Sequence, residues 1–164
     1  MSPTPYMYKV PLSPENEVPR ITDSKALGYL LIQFMPNTNA LYYDVVVSNI
    51  YGPTIVHLHK GKPTTVGAAT LMFLYNSTAT DNSTAFTGRL CSGIMTPSDF
   101  MGPAENLTTM SALIDEYLKT DDLFSNIHTL DHPNGIMRGQ INAKALQGSL
   151  AARTVPTMAP GAPL

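Results

Sequence analysis

A chain of 164 residues has the size of one globular domain and enough length to bury a core of its own. Ten basic and twelve acidic side chains nearly cancel to a net charge of −2, and no stretch concentrates Lys or Arg, so the chain lacks the electrostatic footprint of a nucleic-acid binder. No apolar run approaches the roughly 20 residues that cross a bilayer, and a single cysteine, Cys91, excludes both an internal disulfide framework and a Cys-rich zinc site.

Residues 1–5 read as an irregular Pro-containing tail, and the ordered domain is expected to run from 6 to 143. The opening "MSPTPYMYKV" has neither a charged n-region nor an apolar h-region, so a secreted form would take its signal from outside this chain. Strands are predicted at "YMYKVPL", "LGYLLIQFM" and "ALYYDVVVSN". In the third, Leu41, Tyr43, Val45 and Val47 share one face while Asp44 and Ser48 take the other, the alternation of a half-buried strand. Further strands follow at "TIVHLHK", "AATLMFLY" and "AFTGRLCSGIM", separated by Pro, Gly and Asn clusters that mark turns. Three sequons, at Asn76, Asn82 and Asn106, would accept N-glycans in a secretory pathway, and the first two flank one predicted loop.

Met110, Leu113, Ile114, Tyr117 and Leu118 fall at i, i+3, i+4, i+7 and i+8, the stripe of one surface helix over about 109–119. Strands resume at "LFSNIHT" and "GIMRGQINA", and residues 144–164 read as a Pro/Ala-rich tail that would order only on a neighbour. About eight short strands with one inserted helix predict an all-β fold, an antiparallel two-sheet β-sandwich or flattened barrel.

Four motifs in this order carry a family resemblance: "ENEVP", "VHLHKGKPTTVGAA", "GRLCSGIMTPSDFMGP" and "NIHTLDHPNGIMRGQI". Together they resemble a CHRD domain, the module named from chordin, over about residues 8–143. The resemblance implies a β-sandwich-like domain of extracellular or periplasmic proteins, mostly without an established enzymatic activity. One position departs from the pattern: where the family usually has Gly-Glu-Ile-Arg-Gly-Gln, this chain has Gly135-Ile136-Met137-Arg138-Gly139-Gln140, and the carboxylate is missing.

On a strand, His57 and His59 point to one side about 6.6 Å apart along the backbone, while Val56 and Leu58 point to the other. Such a pair can converge on one ion, and the pattern is similar to the His-x-His strand of copper/zinc superoxide dismutase, itself a β-sandwich. A third donor would come from His128, which shares its strand face with Phe124 and Asn126, or from His132; the latter precedes Pro133 and reads as a solvated turn residue. All-imidazole donors favour copper or zinc over calcium or magnesium. The other reading has the imidazoles hydrogen-bonded to backbone carbonyls and to Asn or Thr neighbours. A hydrolytic zinc site would also need a general-base carboxylate, for which Glu17 and Asp131 are the candidates if the fold brings them close.

Arg138 and Gln140 share a face opposite Met137, Gly139 and Ile141. Arg138 reads as a snorkelling side chain paired with Glu15 or Glu17, so that Glu17, Arg138 and Gln140 stitch the first motif to the last; ligand binding is its alternative role. Two functional readings result. The preferred one is a secreted, non-enzymatic structural or interaction domain that associates with proteins, or with itself, through its faces and tails. The alternative is a copper- or zinc-binding protein using His57, His59 and His128. No catalytic residue, nucleic-acid partner or membrane span is assigned.

Overall fold

The computed structural model describes residues 6–66 and 68–142, so both predicted tails and Ala143 lie outside the described residues. Eight strands form two antiparallel four-stranded sheets. The first sheet joins β1 (Tyr6–Leu12), β2 (Leu27–Met35), β3 (Ala40–Tyr51) and β6 (Ala85–Met95) in the order β1-β2-β3-β6. The second joins β5 (Thr70–Asn76), β4 (Pro53–Lys60), β7 (Leu123–Thr129) and β8 (Met137–Gln140) in the order β5-β4-β7-β8. The arrangement is the predicted sandwich, and the described strands close no barrel.

Alternation builds the core. Val10, Leu30, Ile32, Phe34, Leu41 and Val45 of the first sheet meet Val56, Leu58, Met72 and Ile127 of the second, all fully buried in one cluster. Burying each such side chain is worth about 1.5–3 kcal/mol. The Tyr43 hydroxyl crosses the interface to donate to the Leu74 carbonyl at 2.6 Å. Space for that ring comes from Gly93, where an added Cβ would stand 2.9 Å from the Tyr43 oxygen.

At one margin the sheets are stitched by a reciprocal pair of backbone hydrogen bonds, Ser13 N to Arg138 O at 3.2 Å and Arg138 N to Ser13 O at 3.1 Å. The chain is tight there, because an added Cβ on Gly139 would lie 2.5 Å from the Pro11 carbonyl of β1. β8 is also shorter than its predicted 135–143 span, since Gly135 has φ of +118° and belongs to the turn before it.

The apolar stripe near 110 is helical, with a difference of winding. Met110–Leu113 is α-helical (α1), and Ile114–Leu118 continues it as a wider π turn in which Lys119 N bonds back to Ile114 O. The Thr120 hydroxyl donates to the Glu116 and Tyr117 carbonyls at 2.6 and 3.2 Å, satisfying groups that the wider turn frees. All five stripe residues are buried. Asn39, at φ of 52°, anchors the helix start by accepting from Met110 N at 2.7 Å.

Asp44 departs from the expectation of a solvent-facing polar residue. Its carboxylate is covered by a two-pronged pair with Arg89, Nε to Oδ1 at 2.9 Å and Nη2 to Oδ2 at 3.0 Å, and only the arginine is exposed. Cys91 is a free, half-buried thiol whose pKa burial pushes up to about 12.

Replacing Tyr43 with Phe removes the donor and leaves the Leu74 carbonyl without it inside the sandwich. Urea unfolding of Tyr43→Phe is expected to show a stability loss of about 1–2 kcal/mol with an unchanged m-value; a loss indistinguishable from zero would mean that the cross-sheet bond carries no net energy.

Candidate metal centre

β4 occupies the middle of its sheet between β5 and β7, and its alternation sends Val56 and Leu58 into the core and His57 and His59 to the outer face. The register against β7 sets His57 opposite Asn126 and His59 opposite Phe124, with His128 one step further along the same face. Against β5 the pairing shifts twice, between Val56 and His57 and between Leu58 and His59. Irregularities of this kind turn side chains out of their regular directions.

An outer sheet face ordinarily meets solvent. Here it does not: His57 is 8% exposed, His59 7% and Asn126 5%, because segments from the Glu17, Thr65 and Pro133 regions fold over it. They leave a cleft of about 310 Å³ lined by Glu17, His59, Phe124, Asn126, His128 and Arg138 among others, whereas His57 is not part of its wall.

The three imidazoles meet under this cover. Their ring centroids are 4.9 Å apart for His57 and His59, 5.0 Å for His57 and His128, and 6.2 Å for His59 and His128. One nitrogen from each lies within 4.8 Å of the other two. His57 Nδ1 and His128 Nε2 are 3.2 Å apart. Two imidazole nitrogens each about 2.0–2.1 Å from one tetrahedral ion would be about 3.3 Å apart, so this separation suits a shared ion as well as a hydrogen bond.

The His128 ring is oriented by Nδ1–H donating to the Pro133 carbonyl at 2.8 Å, which leaves the lone pair on Nε2, facing His57. Among the described residues, no group makes a hydrogen bond of full geometry to His57 Nε2 or to either ring nitrogen of His59, although the Ala69 and Ala68 backbone and the Asn126 side chain lie near the His59 ring. What holds His59 is stacking on Phe124 at 5.0 Å and 19°. Phe124 in turn carries the Arg138 guanidinium at 3.5 Å from its ring centre. Since β4 and β8 flank β7, the ring lies between His59 and Arg138.

All three histidines are held towards their neutral forms. Burial is the main cause each time: it lowers His57 to about 3, with help from the charges of His59 and His128, and lowers His59 to about 4, with help from His128. The Ala69 and Ala68 backbone and the Asn126 side chain offset the His59 shift only in part. Burial also lowers His128, against the Pro133 carbonyl. Neutral imidazoles are the ligand form, so the cluster has lone pairs ready at neutral pH. Glu17 goes the other way: burial raises its pKa to about 7, opposed by the Arg138 charge and by hydrogen bonds from Val18 and Asn126.

The remaining site expectations divide. Arg138 is not ion-paired with either glutamate. Glu15 pairs with Arg20 at 3.2 Å, and Arg138 donates to the Thr65 and Lys62 carbonyls at 2.7 and 2.6 Å, with Glu17 acting on it only through its field. A planar cation seated on a ring satisfies its donors best in the plane, where these carbonyls lie. Gln140 shares that face and donates to the Gly61 and Asp121 carbonyls at 2.9 and 3.0 Å. First and last motifs are stitched by the Ser13–Arg138 backbone and by Asn16, whose amide reaches the Arg138 carbonyl at 3.2 Å. Asp131 stands outside the cluster, accepting both bonds from the Asn82 amide at 2.8 Å. Ile136 is buried.

A two-sheet sandwich with an imidazole cluster under a loop cover on one outer face defines the structural class. The chain belongs to the CHRD domain family, matched over residues 8–141. No curated protein and no solved structure matched it.

The shifted pKa values give the metal-free protein a directed pH response. His57 and His59 titrate below their unfolded value of 6.5, so their contribution is complete above that value and is lost as pH falls towards 4 and 3. Glu17 titrates above its unfolded value of 4.5, so its contribution is complete below that value and is lost as pH rises through about 7. Between pH 6.5 and 4.5 the two histidines outweigh the one carboxyl, and chemical denaturation is expected to show stability falling with pH by roughly 1 kcal/mol per unit. Glu17→Gln should steepen the fall, and a flat profile in both proteins would contradict the buried, neutral cluster.

Proposed function

We propose that this CHRD domain is an extracellular module that holds one copper or zinc ion through His57, His59 and His128. The observation that carries the reading is the set of buried, neutral-leaning imidazoles with one nitrogen each inside 4.8 Å, among which three ring nitrogens make no hydrogen bond of full geometry with the described residues. Imidazoles satisfied by carbonyls and amides would not leave those atoms bare, since buried polar atoms are paired in the large majority of cases. Nitrogen donors of this kind suit copper and zinc, and the ion would serve storage, delivery or fastening of the outer face.

An interaction role is compatible with this, and one observation favours it. On the outer face of the first sheet, Tyr42 and Ile94 are cross-strand partners, 38% and 65% exposed. Adjacent exposed apolar side chains on a sheet suit contact with another protein surface. Among the described residues, no helix is long and apolar enough to cross a membrane.

Tag-free protein titrated with Zn²⁺ or Cu²⁺ is expected to take up one ion per chain by calorimetry and elemental analysis. His57→Ala and His128→Ala should each weaken uptake by more than the 10- to 100-fold typical of losing an outer hydrogen-bond partner. Equal uptake by wild type and both variants, or none by wild type, would refute the site.

Secretion makes a separate prediction. Asn76 and Asn106 are exposed, whereas the Asn82 amide nitrogen, the atom a glycan would occupy, donates both its bonds to Asp131. Expression through a eukaryotic secretory route is expected to place glycan on Asn76 or Asn106 in preference to Asn82. Peptide mass mapping that finds Asn82 alone occupied, or no glycan anywhere, would count against it.

A further inference from the structure

The cluster contains three donors and no more: among the described residues, no carboxylate joins the nitrogens that fall within 4.8 Å of one another. Zinc and copper ordinarily take at least four ligands, or three protein ligands and an exchangeable one. The surroundings show where a fourth would be. His59 and His128 line the cleft of about 310 Å³ and His57 does not, so an ion shared by the three is approached from the cleft side. In the same cleft stands Glu17, 8% exposed, whose Oε1 makes no hydrogen bond of full geometry with the described residues, although Asn126 and the Val18 backbone act on the carboxyl.

Glu17 is placed with little freedom. It follows the short helical turn Pro14–Asn16, its backbone N–H bonds to the Pro14 carbonyl, and its carboxyl lies against Gly135. A Cβ added to Gly135 would stand 2.6 Å from Glu17 Oε1 and 2.7 Å from Asn126 Nδ2. Asn126 spans the gap between Glu17 and the cluster, its side-chain oxygen 3.0 Å from His128 Nε2 and its amide nitrogen on the Gly135 side where the Glu17 carboxyl lies. Orphaned nitrogens and an orphaned carboxylate oxygen thus border one cavity, with the carboxylate outside the nitrogen cluster. A metal-bound oxygen adds about 2 Å to the reach of the ion and its hydrogen bond about 2.7 Å more, the span of one small ligand between ion and acceptor.

We propose that this centre is an open one whose exchangeable position takes a small oxygen ligand, water or hydroxide in the resting protein, and that Glu17 accepts that ligand's hydrogen bond without binding the ion. The proposal rests on the metal reading above. Glu17 is a positioning residue for the exchangeable ligand, and small anions that displace the water meet its charge.

The test uses tag-free protein loaded with Co²⁺, whose visible spectrum reports coordination, titrated with azide at mildly alkaline pH. Wild type is expected to take one Co²⁺ and to show a saturable spectral change with azide. Glu17→Gln should still take up one Co²⁺, somewhat more weakly for the loss of a nearby negative charge, and bind azide roughly tenfold more tightly, as expected for removing that charge near the binding position in a partly solvated cleft. Glu15→Gln, in the same motif but exposed and paired with Arg20, should behave as wild type. If Glu17→Gln does not fold, Glu17→Asp keeps the charge but withdraws it, and azide affinity between those of wild type and the loss of repulsion is expected. Failure to take up Co²⁺ would overturn both this proposal and the metal reading. Uptake with a spectrum indifferent to azide would overturn the open position alone, and a Glu17→Gln protein whose azide-free Co²⁺ spectrum changes as for the loss of a ligand, with Co²⁺ affinity falling as far as in His57→Ala, would make Glu17 a ligand and refute its assigned role. Azide affinity the same in Glu17→Gln as in wild type would also refute it.

Discussion

Covering the outer face of a central strand is the constraint from which the rest of this structure follows. A sandwich needs only its inner faces dry, yet His57, His59, Asn126 and Arg138 are all nearly inaccessible on the outside of β4, β7 and β8. A buried polar group without a partner costs about 1–3 kcal/mol by mutational measures, so a face like this persists only if something compensates. Part of the compensation is visible. The Arg138 guanidinium takes two carbonyls from the chain that follows β4, Gln140 takes a third, and Phe124 fills the space between cation and imidazole. The nitrogens of His59 are left over, and one of them is what a bound ion would satisfy.

That arrangement also leaves Arg138 with partners although Ile136 stands where a carboxylate was expected. Ile136 is buried, and the charge expected to answer Arg138 is replaced by an aromatic face and backbone oxygens. Glu17 supplies negative potential from the opposite end of the chain without direct contact. An arginine satisfied this way stays charged and planar, and it fixes the segment around Thr65 over the histidines.

Much of the fold could be read from local pattern, and the reasons differ element by element. β1, β2, β6 and β7 have the bounds that alternation and their flanking Pro, Gly and Asn residues indicate. The shared face of His57 and His59, and that of Phe124, Asn126 and His128, follow from period two alone. What alternation does not contain is which strands pair: that β7 lies beside β4, in a register setting His57 against Asn126, depends on contacts some seventy residues apart. The cover over the face, the Pro133 carbonyl that orients His128 and the double register shift around His57 have no residue-type signature either. Opposite charges in two motifs suggest an ion pair for Arg138, whereas its nearer partners are carbonyls, which every residue carries. The π turn was equally hidden, since an apolar stripe marks which side chains go inward but not the pitch that takes them there.

The Ser13–Arg138 bridge has a mechanical consequence. β8 runs antiparallel to β1 across that margin, so Tyr6, which begins the first strand, and Gln140, which ends the last, stand towards the same end of the sandwich. Tension pulling those two residues apart would load the bridging bonds in sequence rather than together, as a zip opens. The domain would therefore open first at this margin, loosening the strand that carries Arg138 and, with it, the clamp over the histidines.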